Sequence, residues 1–218
     1  MPLFIDTETT GKLVFKGTGK NRKVDDKLEI QPHIVQLAYE VTDENEVVLA
    51  EVSTLIKPEG WTIPEEATKV HGITTDLCDK FSVPIKRALS MLHGYAELGL
   101  MIVAHSLEFD YELLNIECLR AFDRPTPFAP CDKFCTMLGN KDILKIPGQY
   151  GDFKWPRLDE TYRFYFGRDF EKAHTACADV RACREIFYEQ GRRNFLPKDE
   201  TGNPIYIVAG CPPSEESN

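Results

Sequence analysis

Short apolar runs and stretches of helical periodicity divide this chain into alternating strands and helices. Leu3-Phe4-Ile5 leads into Asp6-Thr7-Glu8 as an unbroken apolar run, the mark of a strand buried on both faces. Further strands are predicted over Ile34 to Val41 and Ala50 to Pro58, the latter ending in the turn Pro58-Glu59-Gly60. A helix is expected from Val83 to Leu98, then a strand from Met101 to Ala104, and at once a helix over Glu108 to Phe122. Cys135 and Thr136 mark a short strand edge, Leu158 to Phe166 reads as a helix stopped by Gly167, and Thr175 to Arg192 as the last helix. No internal repeat is visible, and the stretch from Pro212 to Asn218 has the composition of a disordered tail.

Acidic residues occupy unusual places in that pattern. A spacing of two puts Asp6 and Glu8 on the same face of the first strand, where two like charges repel. A divalent cation held by oxygen ligands relieves that repulsion directly; a surface strand end is the plainer alternative. Asp110 precedes Leu113 and Leu114 by three and four positions and leans toward the apolar side of its helix. Asp179 lies one turn from Ala176 and Cys183 on the stripe that also holds Val180 and Phe187. A carboxylate facing a core is costly unless it is paired, hydrogen-bonded or bound to metal. His174 falls just before this last helix, with Thr175 as the N-cap, and could reach over the site as a base while Asp179 gains from the positive end of the helix dipole.

These residues sit in segments that resemble a known family. Phe4-Ile5-Asp6-Thr7-Glu8-Thr9-Thr10-Gly11, Ala104-His105-Ser106-Leu107-Glu108-Phe109-Asp110 and His174-Thr175-Ala176-Cys177-Ala178-Asp179 look like the three motifs of the DEDDh exonucleases. Val70-His71-Gly72-Ile73-Thr74 matches a motif that lies near the terminal nucleotide in that family, and Lys154-Trp155-Pro156-Arg157-Leu158 resembles the start of its penultimate helix. The sister branch places tyrosine four residues before the last aspartate, where this chain has Thr175. A departure is Ser106, where the second motif commonly has asparagine.

The resemblance implies an α/β, ribonuclease-H-like core, a mixed five-stranded sheet flanked by helices. It places the exonuclease domain at residues 1–195, leaving 196–218 as a partly disordered extension. Asp6, Glu8, Asp110 and Asp179 are expected to hold two Mg²⁺ or Mn²⁺ ions about 4 Å apart, with His174 as general base on the attacking water. Thr9, His71 and Ser106 are implied to line the terminal-nucleotide pocket. Phe109, next to Asp110, is a candidate base-stacking residue, with a place in the core as the alternative. The expected substrate is a single-stranded or frayed 3′ end, DNA ahead of RNA, releasing nucleoside 5′-monophosphates. A polymerase or other replication protein is a candidate partner. An exoribonuclease is the neighbouring reading, and a noncatalytic nucleic-acid-binding module the reading from another class, against which the intact set of five residues argues.

Composition then bounds these readings. With 218 residues the chain suits one well-buried domain, and its net charge of −9 argues against a nonspecific high-affinity duplex binder. Two divalent ions would offset part of that charge, so only the substrate path need be basic. Seven cysteines, an odd number without framework spacing, point to reduced thiols in a cytoplasmic setting. Cys131, Cys135, Cys177 and Cys183 could gather zinc only with poor spacing. The N-terminus has no charged leader, and no apolar run is long enough to cross a bilayer, so no export or membrane anchoring is expected.

The segment from Lys12 to Pro32 is longer than a tight hairpin needs and carries Lys16, Lys20, Arg22, Lys23 and Lys27 among Asp25, Asp26 and Glu29. It reads equally as a phosphate-contacting arm or a solvated loop. Gly17-Thr18-Gly19-Lys20 is not a nucleotide-binding P-loop, because Asn21 replaces the required hydroxyl residue and Val14 the first glycine.

Overall fold

The computed structural model describes residues 1–149, 151–170 and 175–196. In chain order its elements are β1 (Pro2–Thr9), β2 (Phe15–Lys16), β3 (Lys23–Val24), β4 (Ile34–Thr42), β5 (Val48–Leu55), α1 (Glu65–His71), α2 (Thr75–Phe81), α3 (Ile85–Glu97), β6 (Met101–Ala104), α4 (Leu107–Phe122), β7 (Lys133–Cys135), α5 (Thr136–Leu144), α6 (Leu158–Phe166) and α7 (Ala176–Arg192). Five strands form one sheet in the order β5-β4-β1-β6-β7. β4 runs antiparallel to β1 and to β5, whereas β6 runs parallel to both β1 and β7. This is the mixed five-stranded sheet that was expected.

Alternation along β1 sends its side chains to two different cores. Leu3 and Ile5 join the cluster that includes Leu92 of α3 and Leu113 and Leu114 of α4. Phe4 faces the other way, into the cluster formed with Ala176, Val180, Cys183 and Phe187 of α7. All three β1 residues are fully buried, as a central strand covered on both faces requires. The same alternation carries Asp6 and Glu8 toward the α7 side and Thr7 toward the α4 side.

Several boundaries differ from the sequence reading. β5 spans Val48–Leu55 rather than residues 50–58, because Ile56 leaves the strand to bridge Val83 in parallel. Val83 is thereby occupied, and α3 starts at Ile85 behind Pro84. Thr136 is the first residue of α5, not a strand end. α1 and α2 have seven residues each, too few to display an apolar period. Their ends are set by local chemistry instead: Gly72 closes α1 in the left-handed conformation at φ 73°, and the Thr74 hydroxyl caps α2 by accepting from the Leu77 N–H. The extension proposed for residues 196–218 lies outside the described residues apart from Leu196, which packs on the α7 side of the sheet.

The segment between β1 and β4 is a folded arm. β2 and β3 pair in a short antiparallel hairpin, and Gln31, 3% exposed, bonds to both the N–H and the carbonyl of Val14 and to the Asp25 carbonyl. From α4, Arg120 donates to the carbonyls of Leu28, Gln31 and Pro32, and to Glu117. Two bonds close the neck of the arm: Thr10 N–H to the His33 carbonyl, and His33 N–H to the Thr10 hydroxyl, each at 2.9 Å.

Candidate active site

The carboxylates collect at the end of β1. Oxygen atoms of Asp6, Glu8 and Asp179 lie within 4.8 Å of one another, the one such group of metal-ligating side chains among the described residues. β1 fixes the first two and α7 brings the third across the sheet face. Thr175 accepts from the Ala178 N–H as the N-cap, which starts α7 so that Asp179 falls in its first turn. Cys131, Cys135 and Cys183 are instead buried among the core residues, and no cysteine zinc group forms among the described residues.

Asp110 approaches from the other face. It is 3% exposed at the N-terminal end of α4, and its Oδ1 accepts the Thr7 hydroxyl at 2.8 Å. Its charge still reaches the strand acids. Burial raises the Asp6 carboxyl well above the usual range, and Asp110, Asp179 and Glu8 add to that rise by repulsion. Burial, with Asp179 and Asp110, pushes Glu8 up to about 8. Burial also lifts Asp110 to about 7, against the pull of the Thr7 hydroxyl. Hard oxygen donors crowded beyond what their own repulsion favours suit a divalent cation, which would restore the charged forms.

The structure locates the other predicted residues as follows. His174 lies outside the described residues. His71 ends α1 and is 8% exposed; its Nδ1 accepts from the Ile73 N–H at 3.0 Å. Neutral imidazole therefore carries its proton on Nε2, which lies beside the Thr9 backbone without a well-directed bond. Burial keeps this ring neutral by lowering its pKa. The Thr9 hydroxyl is turned to the Gly11 carbonyl at 2.7 Å. Phe109 is half-buried against the core on the α4 side. Ser106 is the N-cap of α4 but makes no capping bond from its side chain, and it sits at φ 74°, ψ 46°, in the left-handed region. Asparagine tolerates that region better than serine.

Two further residues support the site, and a third the neck of the arm beside it, without having stood out in the sequence. Thr7 is the first, through Asp110. His105 is the second: its Nε2 lies 3.0 Å from the Pro156 carbonyl and its Nδ1 2.8 Å from the Thr136 hydroxyl. The carbonyl can only accept, so Nε2 holds the proton and Nδ1 accepts from Thr136. Burial lowers its pKa to about 4. His105 thus ties the strand before Asp110 to the start of α5 and to the loop before α6. The third is Trp61, stacked on His33 with centroids 4.7 Å apart and rings 5° from parallel.

Comparison with known proteins agrees with this fold. The model of the exonuclease family RNase_T matches residues 3–187. The DNA polymerase III subunit epsilon of Treponema pallidum (strain Nichols) is 29% identical over 149 residues, 67% of this chain and 63% of that protein. E. coli exonuclease I in complex with a dA16 oligonucleotide superposes with a TM-score of 0.65 at 17% identity, covering 87% of this chain and 40% of that one. The zinc-bound E. coli exonuclease I–single-stranded DNA complex gives 0.67 at 19% identity, over 88% and 40% of the two chains. The chain therefore spans about two fifths of these solved structures and under two thirds of the epsilon subunit. Among the described residues, no helix is long and apolar enough to cross a membrane.

Proposed function

The chain belongs to the RNase_T exonuclease family, and from that premise we propose that it removes nucleotides from 3′ ends, DNA ahead of RNA, as 5′-monophosphates. The observation that carries this reading is the meeting of Asp6, Glu8 and Asp179 within 4.8 Å, with Asp110 raising the Asp6 pKa from the opposite face. Single-stranded DNA in complexes of the structural neighbours supports a strand end as substrate. The domain is residues 1–195, followed by the extension at 196–218.

In this reading Asp6, Glu8, Asp110 and Asp179 hold two divalent ions, Mg²⁺ or Mn²⁺. Such ions supply an activated water and charge neutralisation at the departing oxygen. His174, as neutral imidazole, takes a proton from the water as its oxygen bonds to phosphorus and the bond to the 3′ oxygen of the preceding nucleotide breaks. His71 directs its Nε2 proton at the terminal nucleotide, beside Thr9; Ser106 and Phe109 complete the pocket wall. Thr7 orients Asp110. The name of the epsilon relative favours a DNA polymerase as partner, and buried thiols such as Cys78 and Cys118 favour a reducing cytoplasm.

The test is digestion of end-labelled single-stranded and duplex DNA and RNA with Mg²⁺, Mn²⁺ or chelator. Stepwise shortening from the 3′ end, lost in chelator and in Asp6→Ala, is expected. Undiminished shortening in chelator would reject metal-dependent chemistry, and faster loss of RNA would reverse the substrate preference.

A further inference from the structure

We propose that the arm between β1 and β4 is a rigid cationic track that grips the single strand upstream of the 3′ end; this rests on the exonuclease reading above. Its position follows from the topology. β1 and β4 are antiparallel, so the Glu8–Thr9 end of β1 lies beside the start of β4, and the arm leaves the sheet at the carboxylate end. Its neck at Thr10 and His33 begins two residues after Glu8.

Charge on the arm opposes that of the whole. Residues 12–32 carry six lysines and arginines against three carboxylates, within a chain of net charge −9. The cations are not all equivalent. Lys16 is neutralised in place by Asp26 and Asp25. Lys12, Arg22, Lys23 and Lys27 are exposed, and among the described residues none has a carboxylate within 4.0 Å. Elsewhere cations are commonly paired, as Lys154 is with Glu160, Arg163 with Asp169 and Arg184 with Glu40. The arm therefore consumes two of its acids on one lysine and leaves Lys12, Arg22, Lys23 and Lys27 turned to solvent.

Rigidity separates this arm from an ordinary solvated loop. Gln31 staples its two limbs, Arg120 holds three of its carbonyls, and Leu13 is buried in the core. The Arg22 guanidinium lies 4.3 Å over the Phe15 ring, a flat delocalised cation already oriented for a phosphate or the face of a base. Cations carried on a fixed backbone have less entropy to lose on meeting a strand, and phosphate neutralisation supplies most of single-strand affinity.

The test replaces Lys12, Arg22, Lys23 and Lys27 together by Ser. Affinity for a 20-nucleotide single strand is measured across a salt series with Ca²⁺ in place of Mg²⁺, and kcat/KM is compared between that strand and a p-nitrophenyl ester of thymidine 5′-monophosphate, which has no upstream nucleotide. Affinity at low salt is expected to fall at least tenfold, and the slope of log affinity against log salt to flatten by about 2 to 3, at roughly 0.7 per lost phosphate contact. The ratio of kcat/KM for the strand over the ester should fall with the affinity. A companion variant with arginine at Lys12, Lys23 and Lys27 should keep wild-type affinity, and an unchanged thermal transition in both excludes misfolding. Unchanged slope and affinity, or an equal loss on both substrates, would overturn the track. Wild-type protein that binds the strand through these cations but hydrolyses neither substrate would instead refute the exonuclease reading and leave the track standing.

Discussion

The Thr7 hydroxyl lies 2.8 Å from Asp110 Oδ1 and joins the C-terminal end of β1 to the first turn of α4, on the α4 face of the sheet beside the carboxylate cluster. Thr7→Val removes the donor and keeps the shape. The buried Asp110 then loses its orientation, and its pKa rises further because the hydroxyl no longer favours the charged form. Activity is expected to drop by roughly 10- to 100-fold, as for other groups that support metal ligands. The pH–rate profile moves upward, and Thr7→Ser restores both. A Thr7→Val enzyme with wild-type rate and profile would show the bond to be incidental.

Without metal, the carboxylates store repulsion. Glu8 and Asp110 titrate near 8 and 7 in the folded chain but near 4 when unfolded. Between those values the folded chain binds more protons than the unfolded chain, so these groups make the metal-free protein less stable as pH rises from about 4 to 8. In chelator, Asp6→Asn should raise the melting temperature at pH 8 and do so less at pH 5. Mg²⁺ should raise the wild-type melting temperature at pH 8 and that of the variant little. Scanning calorimetry at both pH values decides this; a variant less stable than wild type at pH 8 in chelator contradicts it.

His105 has the opposite linkage. Its folded pKa of about 4 lies below the ordinary histidine value of about 6.5. Its contribution is complete above pH 6.5 and is lost as pH falls toward 4, because the unfolded chain takes up the proton first. His105→Ala should cost about 1–3 kcal/mol at pH 7, since it strands the Pro156 carbonyl and leaves the Thr136 hydroxyl only its longer contacts to the Ala104 carbonyl and Cys183 Sγ. In urea titrations that deficit should narrow by pH 4.5. A constant gap would mean that packing alone accounts for the loss.

Ser106→Asn is expected to stabilise the fold by about 0.5–1 kcal/mol, because asparagine accepts the left-handed backbone at lower cost. Ser106→Val, branched at Cβ, should destabilise it. Chemical denaturation of both ranks them, and the reverse order would show that the Ser106 backbone relaxes on substitution.

For His174→Ala the expected loss in the chemical step is about 10²- to 10⁴-fold, with Mn²⁺ binding retained in calorimetry. Loss of metal as complete as in Asp6→Ala would make His174 a ligand.

The strand and helix acids were legible in the sequence because their neighbours in sequence are also their neighbours in the core. Asp6 follows the buried run Leu3 to Ile5, and Asp179 sits on the stripe of Ala176 and Cys183. Thr7 could not be singled out in the same way, since its partner is 103 residues away and a threonine in a strand is ordinary. His105 stood inside a recognised motif, yet its role depends on Pro156, 51 residues on. The arm was ambiguous for a similar reason. Counting charges could not show that Asp25 and Asp26 both serve Lys16, or that Arg120 of a distant helix fastens Leu28 and Gln31. α1 and α2 lacked the length for periodicity, and Gly72 and Thr74, which end one and cap the other, were read only as parts of a motif.

The Thr10–His33 neck has a consequence for how such a chain can change. Because the neck is tied by its own bonds, with Thr10 N–H to the His33 carbonyl at 2.9 Å, residues inserted beyond it do not pull on Asp6 or Glu8. Arm length can thus change at the β2–β3 tip, away from Leu13, Gln31 and the carbonyls held by Arg120, while the register of β1 stays fixed.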